Sequence, residues 1–315
     1  MALRKSLGNR PVIYEVVPPR RDGSRFNTEL EGIDDVLGES RIAAINIPEL
    51  MNRVEKQDGS DPIYSPATIP PEEYAMIIRG RKEAIVNIVA PRMKKDEFLR
   101  RTHKVIHDYR ISNLVVVGKE RRTDRLPGPG VLEALQLLGA MRNDQVTIGG
   151  ICIFDRETVG DPDYEDGKRR DGRLSEARRT LLKAREGCDF VTSQIIFDSV
   201  PALDFLSSYQ ELCLATGERP LTVFISLTTV PSQSILTLLE TLDVVVPSDV
   251  KRRLQSFGDM KRESVRIAAE VFGEIIAGVE SREIRVPLAV QIDQIGVRND
   301  DLSLQLLDSV YPSFV

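Results

Sequence analysis

Eight short apolar runs recur along the 315-residue chain, and a segment with helical spacing follows each. The first run, Pro11-Val-Ile-Tyr-Glu-Val-Val17, is β-branched and is stopped by Pro18-Pro19. Ile42-Ala-Ala-Ile-Asn-Ile47 is the second, and Pro48 ends it. The others are Ala84–Ala90, Asn113–Gly118, Val146–Phe154, Phe190–Phe197, Leu221–Leu227 and Pro287–Ile295. Helical spacing covers Thr28–Leu37, with Thr28 and Glu31 placed as a capping box. It continues over Pro71–Gly80, Lys95–Tyr109, Val131–Met141, Leu174–Glu186, Val200–Thr216, a long stretch Ser232–Ala277, and Asp300–Leu307. Strands that are apolar throughout belong to parallel sheets covered on both faces. Eight such units predict an α/β fold, a single (β/α)8 TIM barrel. A doubly wound open sheet is the alternative, but it expects a glycine-rich turn after the first strand. The chain has Val16-Val-Pro-Pro-Arg20 there. The units use nearly the whole length, so one barrel domain over 1–315 is expected.

Composition narrows the function. Apolar residues make up 41% and charged residues 29%, ordinary globular values that speak against disorder. Net charge is −5 with both signs interspersed, aromatics are 5%, and there is no Trp. Neither an electrostatic nor a stacking surface for nucleic acid is expected. No apolar run is long enough to cross a membrane, and the basic N-terminus lacks the apolar core of a secretory signal. The three cysteines, Cys152, Cys188 and Cys213, lack metal spacing, which fits a reducing, cytoplasmic setting. His103 and His107 are the only histidines and read as a solvated helix face, so no metal is expected. Partners reduce to a small-molecule substrate, with a homo-oligomer left open.

In a barrel the working residues lie at the carboxyl ends of strands and in the loops that follow. Glu15 sits inside the first apolar run, where an acid is costly to bury unless paired or protonated. Desolvation favours the protonated form, which suits a general acid. An outward-facing Glu or a structural ion pair is the competing reading. Gln194 lies in the sixth run and could offer a donor and an acceptor to a planar heterocycle, or bond to backbone. Glu49 and Asn52 follow the second strand, and Lys119 and Glu120 follow the fourth. All four are placed for a site or for solvent. The charged, glycine-rich loop Asp155–Arg173 is the candidate mobile loop.

These residues resemble a known family. Tyr14-Glu-Val-Val-Pro-Pro-Arg20 resembles the FE-x-x-PPR strand of methylenetetrahydrofolate reductases. Gly187-Cys-Asp-Phe-Val-Thr-Ser-Gln-Ile-Ile-Phe-Asp198 is similar to their GAD-x-x-x-TQ-x-x-FD segment, with Lys183 ahead of it. Leu126-Pro-Gly-Pro-Gly130 stands where the family has an LPPG-like turn. The resemblance implies a barrel oxidoreductase of one-carbon metabolism and methionine biosynthesis. Such an enzyme reduces 5,10-methylenetetrahydrofolate to 5-methyltetrahydrofolate with hydride from NADH or NADPH, usually through bound FAD. It makes Glu15 the acid that opens the methylene bridge and Gln194 a pterin contact; Glu49, Lys119 and Glu120 are candidate substrate-lining residues by their places after the strands.

On the flavin side the resemblance implies Lys183, Gly150 and Cys152 as contacts, and the chain departs from the pattern there. Val116-Val-Gly-Lys119 replaces LRGD, so a cation stands in place of the carboxylate. The family histidine has no counterpart in Asn87-Ile-Val-Ala-Pro91, and Cys152 and Phe154 replace a tyrosine and an acid. Two routes follow: FAD or FMN held by other contacts, or hydride passed directly from the nicotinamide. The alternatives in function are a pterin-binding C1-transfer enzyme and a non-catalytic partner subunit on the same barrel.

Overall fold

A computed structural model of the chain describes residues 3, 10–20, 33–54, 63–119, 125–141, 145–156, 164–165, 168–169, 175–256, 258–295 and 300–314. Eight strands, β1 (Val12–Glu15), β2 (Ile42–Ile47), β3 (Glu83–Val89), β4 (Asn113–Val117), β5 (Thr147–Cys152), β6 (Phe190–Ser193), β7 (Thr222–Thr228) and β8 (Leu288–Asp293), close into a barrel. Their order is β1-β8-β7-β6-β5-β4-β3-β2, so every neighbour is the sequence neighbour and the fold is a (β/α)8 barrel. The helices are α1 (Asp34–Gly38), α2 (Pro71–Ile77), α3 (Lys95–His103), α4 (Val131–Met141), α5 (Glu176–Arg185), α6 (Ser199–Thr216), α7 (Gln233–Thr241), α8 (Ser248–Ser256), α9 (Met260–Ser281) and α10 (Asp300–Val310). The capping box at Thr28 and Glu31 lies outside the described residues, as does most of the loop Asp155–Arg173.

The chain groups into two compact units. The first takes Ile13–Ile151 and Glu186–Asp189. Its strand register pairs Asn46 with Ile85, Ile85 with Asn113, and Asn113 with Thr147. Residues paired across a parallel ladder share a face, and alternate residues along a strand share it too. One face therefore carries Asn46, Asn87, Asn113 and Thr147 together with Ile85 and Val115. The other carries Ile45, Ile47, Val86, Ile88, Leu114 and Val116, all buried. Helices pack against these strands. Polar side chains are thereby concentrated on the inner face of the strands.

The second unit takes Cys152–Arg185 and Phe190–Val315. Here β7 and β8 pair Ser226 with Gln291 and Thr228 with Asp293, again placing polar residues on one face. The long helical stretch expected over Ser232–Ala277 is three helices instead. Asp243 takes a left-handed conformation (φ 56°) after α7, and Pro247 stands just before α8. Gly258 lies in the second break, and Asp259 caps α9 by accepting from Arg262 N–H at 3.2 Å. The sequence reading assigned no strand between Pro48 and Pro71. The structure has an antiparallel pair there, Met51–Val54 with Ile63–Pro66.

The turn Leu126-Pro-Gly-Pro-Gly130 is fixed by contact. Gly128 N–H donates to the Pro91 carbonyl at 2.9 Å, locking the loop after β4 against the turn after β3. A Cβ at Gly128 would overlap the carbonyl oxygens of Met93 and Ala90. Those are backbone atoms and cannot rotate away. Gly128→Ala is therefore expected to lower stability by about 3 kcal/mol, the upper range for overpacking. Urea unfolding checks it: an unchanged midpoint would show that the turn relaxes freely.

Candidate functional site

In the first unit, Glu15 is the last residue of β1 and is half-buried. Asn46 Nδ2 donates to Glu15 Oε2 at 2.8 Å, and Val16 N–H donates to the Asn46 carbonyl at 2.9 Å. The proline pair after Val17 ends the strand, so the acid is presented at its carboxyl end. Among the described residues, Asn46 Oδ1 and Asn87 Oδ1 are buried with no donor. Each such orphan costs about 1–3 kcal/mol. Both stand on the inner face, which is where a ligand or a bound water with N–H or O–H groups would satisfy them.

Glu49 is otherwise engaged. Its Oε2 accepts from Val89 N–H at 2.7 Å, and its Oε1 accepts from Arg101. Arg101 also makes a two-point bond to Glu72, Nε to Oε1 at 3.0 Å and Nη2 to Oε2 at 2.9 Å. Burial disfavours the charge on Arg101, but Glu72 and Glu49 outweigh it and hold the guanidinium above its ordinary range. The three side chains wall a cavity of about 810 Å³, together with Arg92, Met93 and Leu126. Lys119 is exposed. Glu120 lies outside the described residues.

In the second unit, Gln194 follows β6. Its N–H donates to the Cys152 carbonyl at 2.9 Å, and its Nε2 donates to the Leu242 carbonyl at 3.2 Å. The amide donor is thus spent on backbone, the plainer of the two sequence expectations, while Oε1 has no donor among the described residues. The residue that sequence reasoning missed is Asp293, the last of β8. It is buried, and Gln291 Nε2 donates to its Oδ1. Thr228 Oγ1 donates to its backbone carbonyl at 2.6 Å. The available signal was the one used for Glu15, an acid inside an apolar run, here Leu288-Ala-Val-Gln-Ile-Asp293.

Burial pushes the Asp293 carboxyl up to about 7, and the Gln291 hydrogen bond offsets this only in part. A raised folded pKa means that the folded state holds a proton the unfolded chain has released. Stability therefore falls as pH climbs from about 4 to about 7, then levels off. Asp293→Asn removes that dependence. Its melting temperature should exceed wild type by roughly 2 °C or more at about pH 8, and match it at about pH 4. A parallel shift at both pH values would show that Asp293 does not titrate in this window.

The residues expected to touch a flavin do not fit that task. Gly150 is buried and paired with Val116 in the sheet. Cys152 is fully buried. Lys183 is buried in α5, and its ammonium donates to the equally buried Glu176 at 2.9 Å. That pairing commits the cation inside the protein. Among the described residues no group of His, Cys, Asp and Glu could hold a metal ion. His103 and His107 are exposed, with ring centroids 4.3 Å apart. No described helix is long and apolar enough to cross a membrane.

The fold and the polar strand ends define an α/β-barrel with candidate site groups at the carboxyl ends of its strands. No protein-family model and no curated protein matches the chain. Solved structures do. A Clostridium thermocellum protein that binds two copies of 5-methyl-5,6,7,8-tetrahydrofolic acid superposes with a TM-score of 0.75 at 20% identity, over 99% of each chain. A chitinase from Bacteroides thetaiotaomicron superposes with a TM-score of 0.52 at 10% identity, over 97% of this chain and 96% of that one. The Bacillus cereus spore cortex-lytic enzyme SleL gives 0.51 at 10% identity, over 95% of this chain and 74% of that one. At these identities the likeness is one of fold.

Proposed function

We propose that this chain binds a reduced folate and acts on it as a methylenetetrahydrofolate reductase-like oxidoreductase. The observation that carries the reading is Glu15, held by Asn46 at the carboxyl end of β1 with unsatisfied buried acceptors beside it. The motif around Glu15 supports it, as does the folate bound by the Clostridium thermocellum protein of the same fold.

In this reading Glu15 gives its proton to N10 of 5,10-methylenetetrahydrofolate as the bond between the methylene carbon and N10 breaks. The electron pair of that bond stays on N10, and the cation is left as an N5-iminium. Hydride from NADH or NADPH adds to the methylene carbon, giving 5-methyltetrahydrofolate and the oxidised nicotinamide. A solvent proton restores Glu15. The Asn46 bond fixes the carboxyl group toward the inner face, so proton transfer needs no reorientation. The burial of Lys183, Gly150 and Cys152 supports direct transfer between two hydride carriers over a flavin held by those residues.

Two measurements on the purified chain test this. Nicotinamide absorbance should fall when 5,10-methylenetetrahydrofolate is added, with no flavin band in the visible spectrum. Tight binding of 5-methyltetrahydrofolate without nicotinamide oxidation would replace the reductase by a folate-binding C1-transfer protein. Failure to bind any reduced folate would overturn the reading altogether.

A further inference from the structure

Building on the reduced-folate reading, we infer that the cavity walled by Glu49, Glu72 and Arg101 receives the tail of the folate, its aminobenzoyl ring and glutamate carboxylates. In that reading Glu15 protonates N10, and N10 is the atom at which the tail begins. The tail therefore starts beside Glu15 and has to run outward from it. Every residue that lines the cavity belongs to the first unit, as Glu15 does. Two short paths lead from Glu15 to the cavity wall. Ile69 N–H donates to the Pro19 carbonyl at 2.9 Å, and Arg20 bridges to Thr68; Thr68 and Ile69 both line the cavity. Pro19 is four residues past Glu15, at most about 14 Å of chain. On the other path Asn46, which holds Glu15, stands three residues ahead of Glu49.

The lining suits the tail better than it suits a pterin ring or a nucleotide. At about 810 Å³ the cavity has the size of a small-molecule site. Met51, Ile69, Pro70, Met93, Leu126 and Pro127 supply apolar wall, and thioethers pack well against an aromatic ring. The N–H edge of a pterin needs acceptors. Here both oxygens of Glu49 and of Glu72 are already engaged, by Val89 N–H and by Arg101. The phosphates of a nucleotide call for backbone N–H groups. Pro70, Pro71 and Pro127 have none, Glu73 and Tyr74 donate theirs to the Pro70 carbonyl, and Gly128 donates to Pro91. Beyond the Arg101 network the lining carries Arg92 and Arg125 against Glu97. Two cations to one carboxylate favour an acidic ligand, which arginine holds by charge-assisted hydrogen bonds. Arg125 is exposed, which suits the glutamate end, the part of the folate farthest from the pterin.

The test is calorimetric titration of the full chain with 5-methyltetrahydrofolate, with 6-methyltetrahydropterin, which keeps the ring and lacks the tail, and with NADH. Wild type should bind the whole folate at least about tenfold more tightly than the tail-less pterin. Ile69→Trp, whose ring grows into the cavity, should weaken the folate by about tenfold or more. Arg125→Met should weaken it by about fivefold. Both variants should bind the tail-less pterin as wild type does. Arg125 is exposed and outside the Arg101 network, so its variant keeps the test open where Ile69→Trp folds poorly, and melting curves report on both. If wild type binds no reduced folate, the folate reading falls and this inference falls with it. If wild type binds the folate and the tail-less pterin equally, or both variants bind the folate as wild type does, the folate reading stands and only the cavity assignment is overturned. A loss shared by the tail-less pterin, or one that falls on NADH in place of the folate, would give the cavity to another group and overturn it as well.

Discussion

Under the proposed reductase reading, Glu15→Gln is expected to lower the turnover of 5,10-methylenetetrahydrofolate by roughly 10²–10⁴-fold, the usual contribution of a positioned general acid. The substitution keeps the size of the side chain and an oxygen that Asn46 can still donate to, so β1 and its register should be unchanged. What it removes is the proton. Bridge opening would then have to proceed with N10 leaving unprotonated, a much poorer leaving group. The loss should fall on kcat, with KM for the folate and the dissociation constant of 5-methyltetrahydrofolate changing only a few-fold, because the product no longer needs an acid. Circular dichroism and the melting temperature should match wild type. Near-wild-type turnover would remove Glu15 from the chemistry. A purely structural ion-pairing role would instead show as lost stability with kcat retained.

Most of the barrel is legible in the sequence because each strand is a short apolar run with its own stop. Pro18-Pro19 and Pro48 end β1 and β2 where the structure ends them, within a residue or two. Gly217, with φ of 70°, closes α6 directly after the helical spacing of Val200–Thr216 ends. The signal weakens where helical spacing continues across a break. Val244-Val-Val-Pro247 is apolar enough to extend a helical pattern, yet the left-handed turn at Asp243 and the proline split it. The hairpin Met51–Val54 and Ile63–Pro66 was missed because each strand is four residues long and mixes polar with apolar side chains.

For the site, sequence finds residues but not partners. It places Glu15, Glu49 and Gln194 at the carboxyl ends of strands, and the structure puts them there. Whether a strand-end group is free to act depends on what folds against it, and that information is tertiary. Glu49 meets Arg101 from α3, 52 positions away, and Gln194 meets the carbonyl of Leu242, 48 positions away. Lys183 meets Glu176 seven residues earlier on its own helix, a spacing visible in sequence once the helix is known. Asp293 carries a weaker signal than Glu15, because its apolar run has no proline pair to mark the acid as a strand end.

Arg101→Met is the second large effect, and it concerns the wall of the cavity rather than the chemistry. Arg101, Glu49 and Glu72 have side chains only 20%, 12% and 11% exposed. Removing the cation leaves two carboxylates facing each other in a poorly solvated place. Breaking a buried pair in this way costs about 3 kcal/mol, far more than losing an exposed one. Urea unfolding at neutral pH should show a loss of that order. The deficit should shrink on acidification, since protonating the stranded carboxylates removes the uncompensated charge. Replacing all three residues together, Arg101→Met with Glu49→Gln and Glu72→Gln, should recover much of the loss, because no isolated charge remains. Arg101→Lys should fall between wild type and Met: an ammonium restores the charge but cannot make the two-point bond to Glu72 while also reaching Glu49. A loss in Arg101→Met that stays constant with pH, with no recovery in the triple variant, would mean that packing of the arginine stem holds the wall. The ion network would then be incidental to it.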